Sequence, residues 1–355
     1  MKKSLPLLLS LLLSPAALHA AVSVTTTPSG YQTLTLPATG TTTPTSTYLA
    51  LPLLNSPVWS GPVGSLNATT LNIAGTPWVA KAFVAVGHPH FVKITSGKQA
   101  GRFLKITANT NHTATVDITD QSAQSTGLNA TGFAMVAKDT FEVIEGDTLA
   151  SFLGDGTTAN PILLKGGTSA AVSDTVSIFQ PKLGTSLIYY FNTTRKTWVL
   201  STSVVNQNNV VIYPETVLGI TRGPGSAKIS LVVQGEVPKI SPLTKTVGAG
   251  KPIQGFTRLP IDVHLSGLTF SGWAQSTSVA TADTIGLWNP TLKAWQIYYQ
   301  LPNVGTVKGQ WRLSGNATTN QSSVLLPAGT GLQITKHASV SGAKSFLAEP
   351  LPYTP

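Results

Sequence analysis

The chain has no cysteine, and only 10% of its 355 residues are charged. Without cysteine there is no disulfide framework, thiol catalysis, zinc ribbon or iron–sulfur cluster. Ordinary globular proteins are about 25% charged, so Ser, Thr, Asn and Gln must cover most of this surface instead. No stretch beyond the first 20 residues reaches 18 consecutive apolar residues. The sequence therefore predicts a protein without a transmembrane helix.

The first 20 residues have the pattern of a secretory signal peptide. Lys2 and Lys3 precede a short apolar run over residues 5–13, and small residues around 16–21 allow cleavage after Ala20. We therefore predict that residues 1–20 are removed on export. The expected location is the periplasm, the outer cell surface or the extracellular medium.

The positive charge of the chain is spread thinly. The formal net charge is +10, but Lys and Arg never form a run of five or more and no basic helix is predicted. We therefore expect no nucleic-acid partner. Solvated surface charge is the simplest interpretation, and non-specific adhesion to anionic cell-surface polymers would be its physical consequence.

An internal repeat organises the sequence. Residues 168–190 align with 277–299 without a gap, at an offset of 109 and with ten identities in 23 positions. Further along, 198–214 corresponds to 311–327, whereas upstream 40–52 resembles 248–260 at an offset of 208. The larger offset means that the first copy contains about 99 additional residues.

The predicted secondary structure is almost entirely β. Short segments rich in β-branched and aromatic residues alternate with Pro, Gly and Asn clusters at spacings of about 8–12 residues. Helical periodicity is absent from the mature chain, apart from one expected helical turn near 149–153. We predict an all-β protein of tandemly duplicated β-sandwich or barrel-like units, with an inserted β module in the first copy. The predicted parts are the signal peptide (1–20), the first repeat unit (22–58 plus 160–238), the inserted module (60–159) and the second repeat unit (240–355).

These strand and turn motifs carry a family resemblance. They comprise Gly30-Tyr31 near the start, an Asp-Thr strand ending in an Asn/Gln-Pro turn, a Tyr-Tyr strand, a Trp hairpin and a Pro-rich end. Together they resemble a family of uncharacterised secreted β-rich repeat proteins found mainly in verrucomicrobial-type bacteria. The likeness covers nearly the whole mature chain. It implies export and a β-rich repeat fold, and it carries no established activity.

The only local group of acidic residues comprises Asp139, Glu142, Glu145, Asp147 and Asp155. Glycoside hydrolysis needs two carboxylates about 5–9 Å apart. On a strand, Glu142 and Glu145 face opposite sides, whereas Glu145 and Asp147 share one. Three interpretations stay open: a turn with solvated acids, a weak calcium site near Asp147 and Asp155, or a hydrolase site. Calcium prefers six to eight oxygens, and no dense EF-hand pattern is present.

Other candidate chemistry is weaker. His88 and His90 lie at strand spacing on one face, as in some metal sites, but no third ligand accompanies them and a loop is the simpler interpretation. There is no Gly-x-Ser-x-Gly nucleophile motif. We therefore expect no catalytic set, metal or cofactor that the sequence alone can assign.

Paired tyrosines recur in both copies. Tyr189 and Tyr190 correspond to Tyr298 and Tyr299. Because adjacent residues of a strand point to opposite faces, we expect one tyrosine of each pair in the core and the other outward.

Trp295 is the best candidate for a surface aromatic, because its counterpart is Ser186. A core position could hardly exchange Trp for Ser without leaving a large cavity. We therefore predict that Trp295 is partly exposed and binds a polar, ring-shaped ligand with Gln296, Tyr298 and Gln300. The alternative is that these aromatics serve core packing, since each buries a large area.

Asp174 and Asp283 occupy equivalent positions in the two copies, each before a Thr at the start of an apolar strand. A residue present in both copies favours a structural role. We predict that each carboxylate accepts hydrogen bonds from backbone N–H groups of a neighbouring turn. We likewise expect Trp198 and Trp311 to be structurally equivalent.

The function that these features favour is that of an exported, non-enzymatic structural or adhesive protein of the cell envelope or extracellular space, with glycan binding as a candidate activity. Its expected partner is an extracellular polysaccharide or another surface protein. The alternative is a secreted carbohydrate-active hydrolase with its site in the inserted module.

Overall fold

A computed structural model describes residues 29–119, 125–241, 243–245, 252–256, 260–270, 272–337, 346–348 and 351 of the chain. The predicted signal peptide lies outside the described residues. Within them, no helix is both long and apolar enough to cross a membrane.

The described part of the first half carries ten strands and one helix. They are β1 (Ser29–Leu36), β2 (Thr45–Ala50), β3 (Pro57–Pro62), β4 (Ser65–Leu66), β5 (Thr70–Asn72), β6 (His90–Ile94), β7 (Phe103–Asn109), β8 (Thr113–Val116), β9 (Thr140–Glu145), β10 (Asp147–Thr148) and α1 (Leu149–Leu153).

The second half carries fifteen described strands. They are β11 (Thr175–Gln180), β12 (Thr185–Asn192), β13 (Thr197–Leu200), β14 (Val211–Ile212), β15 (Val217–Arg222), β16 (Ile229–Glu236), β17 (Leu243–Lys245), β18 (Pro252–Phe256), β19 (Val263–His264), β20 (Thr284–Asn289), β21 (Ala294–Gln300), β22 (Trp311–Leu313), β23 (Leu325–Leu326), β24 (Gly331–Thr335) and β25 (Phe346–Ala348). Single 3₁₀ turns lie at Ala82–Val84, Ala170–Val172, Leu265–Gly267 and Gly305–Val307.

Two five-stranded antiparallel sheets have the same strand order. The first runs β13-β12-β11-β15-β2 and the second runs β22-β21-β20-β24-β18, with corresponding strands in corresponding places. Their sequences alternate apolar and polar residues, so each sheet has a face that must be buried. The prediction of an all-β protein is confirmed. The described sheets are open, which agrees with sandwich-like units rather than closed barrels.

A two-stranded ribbon covers the first five-stranded sheet. β1 pairs with β16, and the inward residues Leu36 and Leu231 pack with Val176 and Ile220 of the sheet in one core. In the second half, β17 pairs with β25 in the same antiparallel manner. Packing two layers face to face gives the first unit its core.

Equivalent hydrogen bonds relate the two sheets in detail. The N–H of Ser201 donates to the carbonyl of Ile188, and the N–H of Ser314 donates to that of Ile297, both at 2.7 Å. Trp198 lies opposite Phe191 and Trp311 lies opposite Gln300, and both indoles are fully buried. The predicted equivalence of the two tryptophans is confirmed.

The edge strands correct one detail of the repeat. Ala50 of β2 lies opposite Val217, and Phe256 of β18 lies opposite Gly331. Backbone pairing thus relates β2 to β18 at an offset of 206, so the sequence alignment at 208 was wrong by two residues. A two-residue shift leaves every side chain on its original face, so the hydrophobic pattern could not detect it.

Between β2 and β10 the chain forms a sheet of seven strands, in the order β3-β9-β6-β7-β8-β5-β4. A bulge between Ile106 and Ala108 shifts the register in the pairing of β7 with β8. Trp78, Phe141 and Leu104 lie in the core of this module, which is separate from the core of the first unit.

β10 and α1 lie inside 60–159, the range that the sequence assigns to the module, but they pack with the first unit. β10 pairs with β14, and Leu149 and Leu153 of α1 lie in the first core. The predicted helical turn at 149–153 is confirmed. Thr148 and Ser151 form a capping box at its start, and Gly154, with φ of 94°, ends it.

Candidate functional site

Three aromatic rings meet where the two five-stranded sheets contact each other. Tyr48 of β2 lies 4.6 Å from Trp295 and 5.1 Å from Trp288, between ring centroids, and the two indoles lie 5.6 Å apart. Trp288 and Trp295 sit opposite each other on β20 and β21. We call these three residues the aromatic junction. Each of them is half-buried, so part of every ring stays open to solvent.

The aromatic junction explains why Trp295 replaces Ser186 of the first copy. Trp295 is partly exposed, as predicted from that exchange. Its ring contacts Tyr48 of the other sheet, and Trp288 donates its indole N–H to the carbonyl of Ser46 at 2.9 Å. The extra tryptophans of the second copy therefore also join the two units. Their presence in one copy only is the sequence signal that could have indicated this contact.

The other residues of the predicted ligand set divide between three places. Gln296 accepts a hydrogen bond from the Asn289 side chain at 3.1 Å, next to Trp295. Gln300 donates to the carbonyl of Gly309 at 3.0 Å, at the far end of β21. Tyr298 is only 4% exposed in the second core. Its placement in the ligand set was wrong, because a buried ring cannot stack on a ligand.

The expected division of each tyrosine pair was also wrong. Tyr190 and Tyr299 are buried as well as Tyr189 and Tyr298. The second face of the sheet is not open to solvent: Tyr299 packs against Ala282 in a small cluster. Strand alternation gives the face of a side chain, but a covering loop decides whether that face is exposed.

A groove of about 260 Å³ lies beside the aromatic junction. Tyr48 and Trp288 form part of its wall, and the hydroxyl-bearing residues Ser46, Thr47 and Thr330 also line it. None of the described residues that line it is charged. The groove thus presents aromatic faces and neutral hydrogen-bonding groups.

Asp174 has a structural environment. Its carboxylate accepts from the backbone N–H of Lys165 at 2.9 Å and from that of Gly223 at 2.7 Å. Arg222 donates to the same carboxylate at 2.8 Å, and Ser226 donates its hydroxyl. The predicted backbone hydrogen bonds are confirmed for this residue.

Asp283 repeats this arrangement. It accepts from the backbone N–H of Ala274 and of His337, both at 2.7 Å, and it forms an ion pair with Lys336. Lys336 thus takes the place of Arg222. Both aspartates are almost completely buried and fully bonded by protein groups. They hold turns in place rather than face a substrate.

Most acids of the local group have structural partners as well. Glu142 pairs with Lys93 at 2.7 Å. Asp139 accepts from the N–H of Val136, three residues earlier in the same loop, at 2.9 Å. Asp155 accepts from the N–H of Thr157 at 2.9 Å, as in an Asx turn. For these three residues the simplest interpretation, turns and paired surface acids, fits the contacts.

Glu145 and Asp147 differ from the rest because they line the same cavity. This cavity, of about 330 Å³, lies where the module meets the first unit, and we call it the junction cavity. Its described lining comprises Leu51, Leu53, Leu54, Asn55, Ile144, Glu145, Gly146, Asp147, Ser151, Phe152, Leu163, Ile212, Tyr213, Pro214, Leu231, Val232, Val233 and Gln234.

The two carboxylates of the junction cavity are held differently. Glu145 receives a bond of 2.7 Å from Nδ1 of the exposed His88. Asp147 accepts only a hydroxyl bond of 3.2 Å, from Ser151, among the contacts of the described chain. Burial raises the pKa of Asp147 above its usual value, and the charge of Glu145 raises it further, against the opposing effect of the Ser151 bond.

The metal candidates of the sequence do not come together. Asp155 does not line the cavity that holds Asp147, and Nδ1 of His90 lies against the backbone carbonyl of His88 at 3.0 Å. In the described ranges, no three His, Cys, Asp or Glu side chains are grouped as a metal site.

Comparison with protein-family models, with curated proteins and with solved structures finds no match for this chain. The function of the aromatic junction and of the junction cavity must therefore be argued from the chemistry of their own residues.

Proposed function

We propose that this chain is an exported, non-enzymatic structural or adhesive protein that binds a neutral polysaccharide at the aromatic junction. The observation that carries the proposal is the set of three half-exposed rings, Tyr48, Trp288 and Trp295, beside an uncharged groove. Export itself rests on the signal-peptide pattern of residues 1–20.

The chemistry of the groove suits a sugar polymer. Apolar C–H faces of sugar rings pack on aromatic faces, while hydroxyl groups exchange hydrogen bonds with neutral side chains. Ser46, Thr47 and Thr330 supply hydroxyls in the groove, and Gln296 and Asn289 supply amides beside Trp295. A groove of about 260 Å³ lies just below the range of about 300–1,000 Å³ common for enclosed small ligands. That size favours the binding of a short part of a longer sugar polymer.

Variants of the aromatic rings test the proposal. Trp295→Ser installs the residue of the first copy, and Tyr31→Ala removes a ring that is 78% exposed elsewhere, on β1. We expect the mature protein to bind at least one neutral polysaccharide in a glycan-array or pull-down assay. Trp295→Ser should weaken that binding by roughly two- to tenfold, because an aromatic stacking contact contributes about 0.5–1.5 kcal/mol, while Tyr31→Ala leaves it unchanged.

Thermal melts of both variants accompany these assays, because Trp295 also contacts Tyr48. Failure of the mature protein to bind any neutral polysaccharide contradicts the proposal. Equal loss in Tyr31→Ala and Trp295→Ser contradicts the assignment of the site.

A hydrolase is the second candidate, because Glu145 and Asp147 line one cavity. Glycosidases act with two carboxylates about 5–9 Å apart, so two acids in one cavity are the pair that such chemistry needs. Incubation with the same polysaccharides tests it. Release of reducing ends that is lost in Glu145→Gln would replace the non-enzymatic proposal.

A further inference from the structure

The junction cavity concentrates negative charge in a protein whose formal net charge is +10. Two of its lining residues, Glu145 and Asp147, are acidic, and none of the described lining residues is Lys, Arg or His. Asn55, Ser151 and Gln234 add neutral polar groups, and about half of the lining surface is hydrocarbon. The cavity therefore combines two acidic side chains with a hydrocarbon surface.

Within the described residues, Asp147 lacks the cationic partner that three other acids of low exposure have. Asp174 pairs with Arg222, Asp283 with Lys336 and Glu142 with Lys93. Among the described ion pairs none involves Asp147, which lies half-buried beside a second carboxylate.

A carboxylate removed from water without a countercharge is costly. A bound cation would remove that cost. His88 does not supply the charge in the cavity, because it contacts Glu145 with a ring that is 66% exposed.

We propose that the junction cavity binds a primary ammonium group that carries a hydrocarbon body. The ammonium lies at Glu145 and Asp147, and its three N–H donors match the carboxylate oxygens and the amide oxygen of Asn55 or Gln234. The hydrocarbon body packs on the apolar wall that includes Phe152. This proposal does not depend on polysaccharide binding, because the aromatic junction has different lining residues.

A metal ion fits the cavity less well. Calcium requires six to eight oxygens at 2.3–2.6 Å, whereas the described residues group no three His, Cys, Asp or Glu side chains as a metal site. A volume of about 330 Å³ also far exceeds the space of one ion.

An aromatic ring of the cavity lining also suits an ammonium group. Tyr213, whose ring packs at 5.2 Å on Phe91, offers a ring that the ammonium could approach.

Calorimetric titration of the mature chain with phenethylamine and with phenethyl alcohol tests the proposal. The two probes share size and hydrocarbon body, but only the amine is charged. We expect the amine to bind with a Kd near the millimolar range and at least about tenfold more tightly than the alcohol, because a hydrogen bond to a charged group contributes about 1.5–3 kcal/mol. Rising salt should weaken the amine alone.

Three variants locate the site. Asp147→Asn and Glu145→Gln should each weaken amine binding by roughly tenfold. Asp155→Asn is the matched control, because it removes the same charge from a turn outside the cavity lining. If Asp147→Asn fails to fold, Glu145→Gln decides alone, since the Glu145 side chain is 43% exposed and tolerates the change.

Equal affinity for the alcohol and the amine would overturn the proposal, as would equal losses in Asp155→Asn and Asp147→Asn. Calcium that displaces the amine at lower concentration would show a metal site instead, which also overturns it. Trp295→Ser should keep amine binding and Asp147→Asn should keep polysaccharide binding, so each proposal can fail without the other.

Discussion

Asp174 shows how a single buried carboxylate can hold several loops together. It receives two backbone N–H groups, the Arg222 guanidinium and the Ser226 hydroxyl. Replacing Asp174 by Asn leaves Arg222 as a buried charge without its partner. We expect the free energy of unfolding to fall by about 3–5 kcal/mol, the typical cost of breaking a buried pair.

Thermal and denaturant unfolding measure this loss. Asp155→Asn serves as the control, since Asp155 forms an exposed turn, and its melting temperature should change little. Polysaccharide and amine binding should survive in Asp174→Asn wherever the variant is folded. An unchanged melting temperature together with a lost activity would give Asp174 a functional role instead.

Asp147 differs from Asp174, because we expect its negative charge to lower the stability of the folded protein. Its pKa is raised in the folded protein by burial and by Glu145, so the folded state binds the proton more tightly than the unfolded state does. The stability gained from the protonated form is then present at low pH and is lost as the pH rises from the ordinary value of 3.8 through the raised value. Above that window, the charged carboxylate disfavours folding.

Unfolding of the wild type and of Asp147→Asn across this pH range tests the expectation. The variant cannot ionise at this position, so its stability relative to the wild type should increase as the pH rises. A wild type that gains stability over the variant with rising pH would show that Asp147 is stabilised by a partner in its ionised form.

At the level of strands and helices, the sequence pattern predicted the individual strands but not how distant strands pair. The turn chemistry and apolar periodicity of 168–190 predicted β11 and β12, and the same pattern at 277–299 predicted β20 and β21. The correct alignment of β2 with β18 could not be predicted, because a two-residue shift preserves the buried face. The association of β10 with β14 could not be predicted either, since its two residue pairs depend on chain segments more than 60 residues apart.

The candidate site was predictable only in part, because its residues come from segments that are far apart in the chain. The exchange of Ser186 for Trp295 indicated an exposed ring, and the structure places it at the surface. Its neighbour Tyr48 lies almost 250 residues earlier in the chain, so no local pattern could connect them. The spacing of Glu145 and Asp147 indicated a shared face, but the walls of the junction cavity come from five separate segments of the chain.

The whole molecule has the features of a fused pair. β2 contacts β24 and β15 contacts β18, and each contact is the counterpart of the other because β2 corresponds to β18 and β15 to β24. This relation is that of an isologous interface between two identical subunits. The aromatic junction breaks the symmetry, since Phe179 and Ser186 stand where the second copy has Trp288 and Trp295. Fusion in one chain allows the two halves of such an interface to differ.

The close approach of the two sheets depends on Gly331. A methyl group there would collide with Val217 and would lie 3.1 Å from the backbone of Tyr48. Gly331→Ala should therefore push the sheets apart and reduce the free energy of unfolding by about 1–3 kcal/mol, the usual cost of overpacking. Differential scanning calorimetry measures the effect, and Gly267→Ala is the control because no atom lies within 4 Å of its added methyl. Because Tyr48 belongs to both the interface and the aromatic junction, polysaccharide binding should weaken in the same variant. A Gly331→Ala protein that melts like the wild type would show that the two units do not support each other.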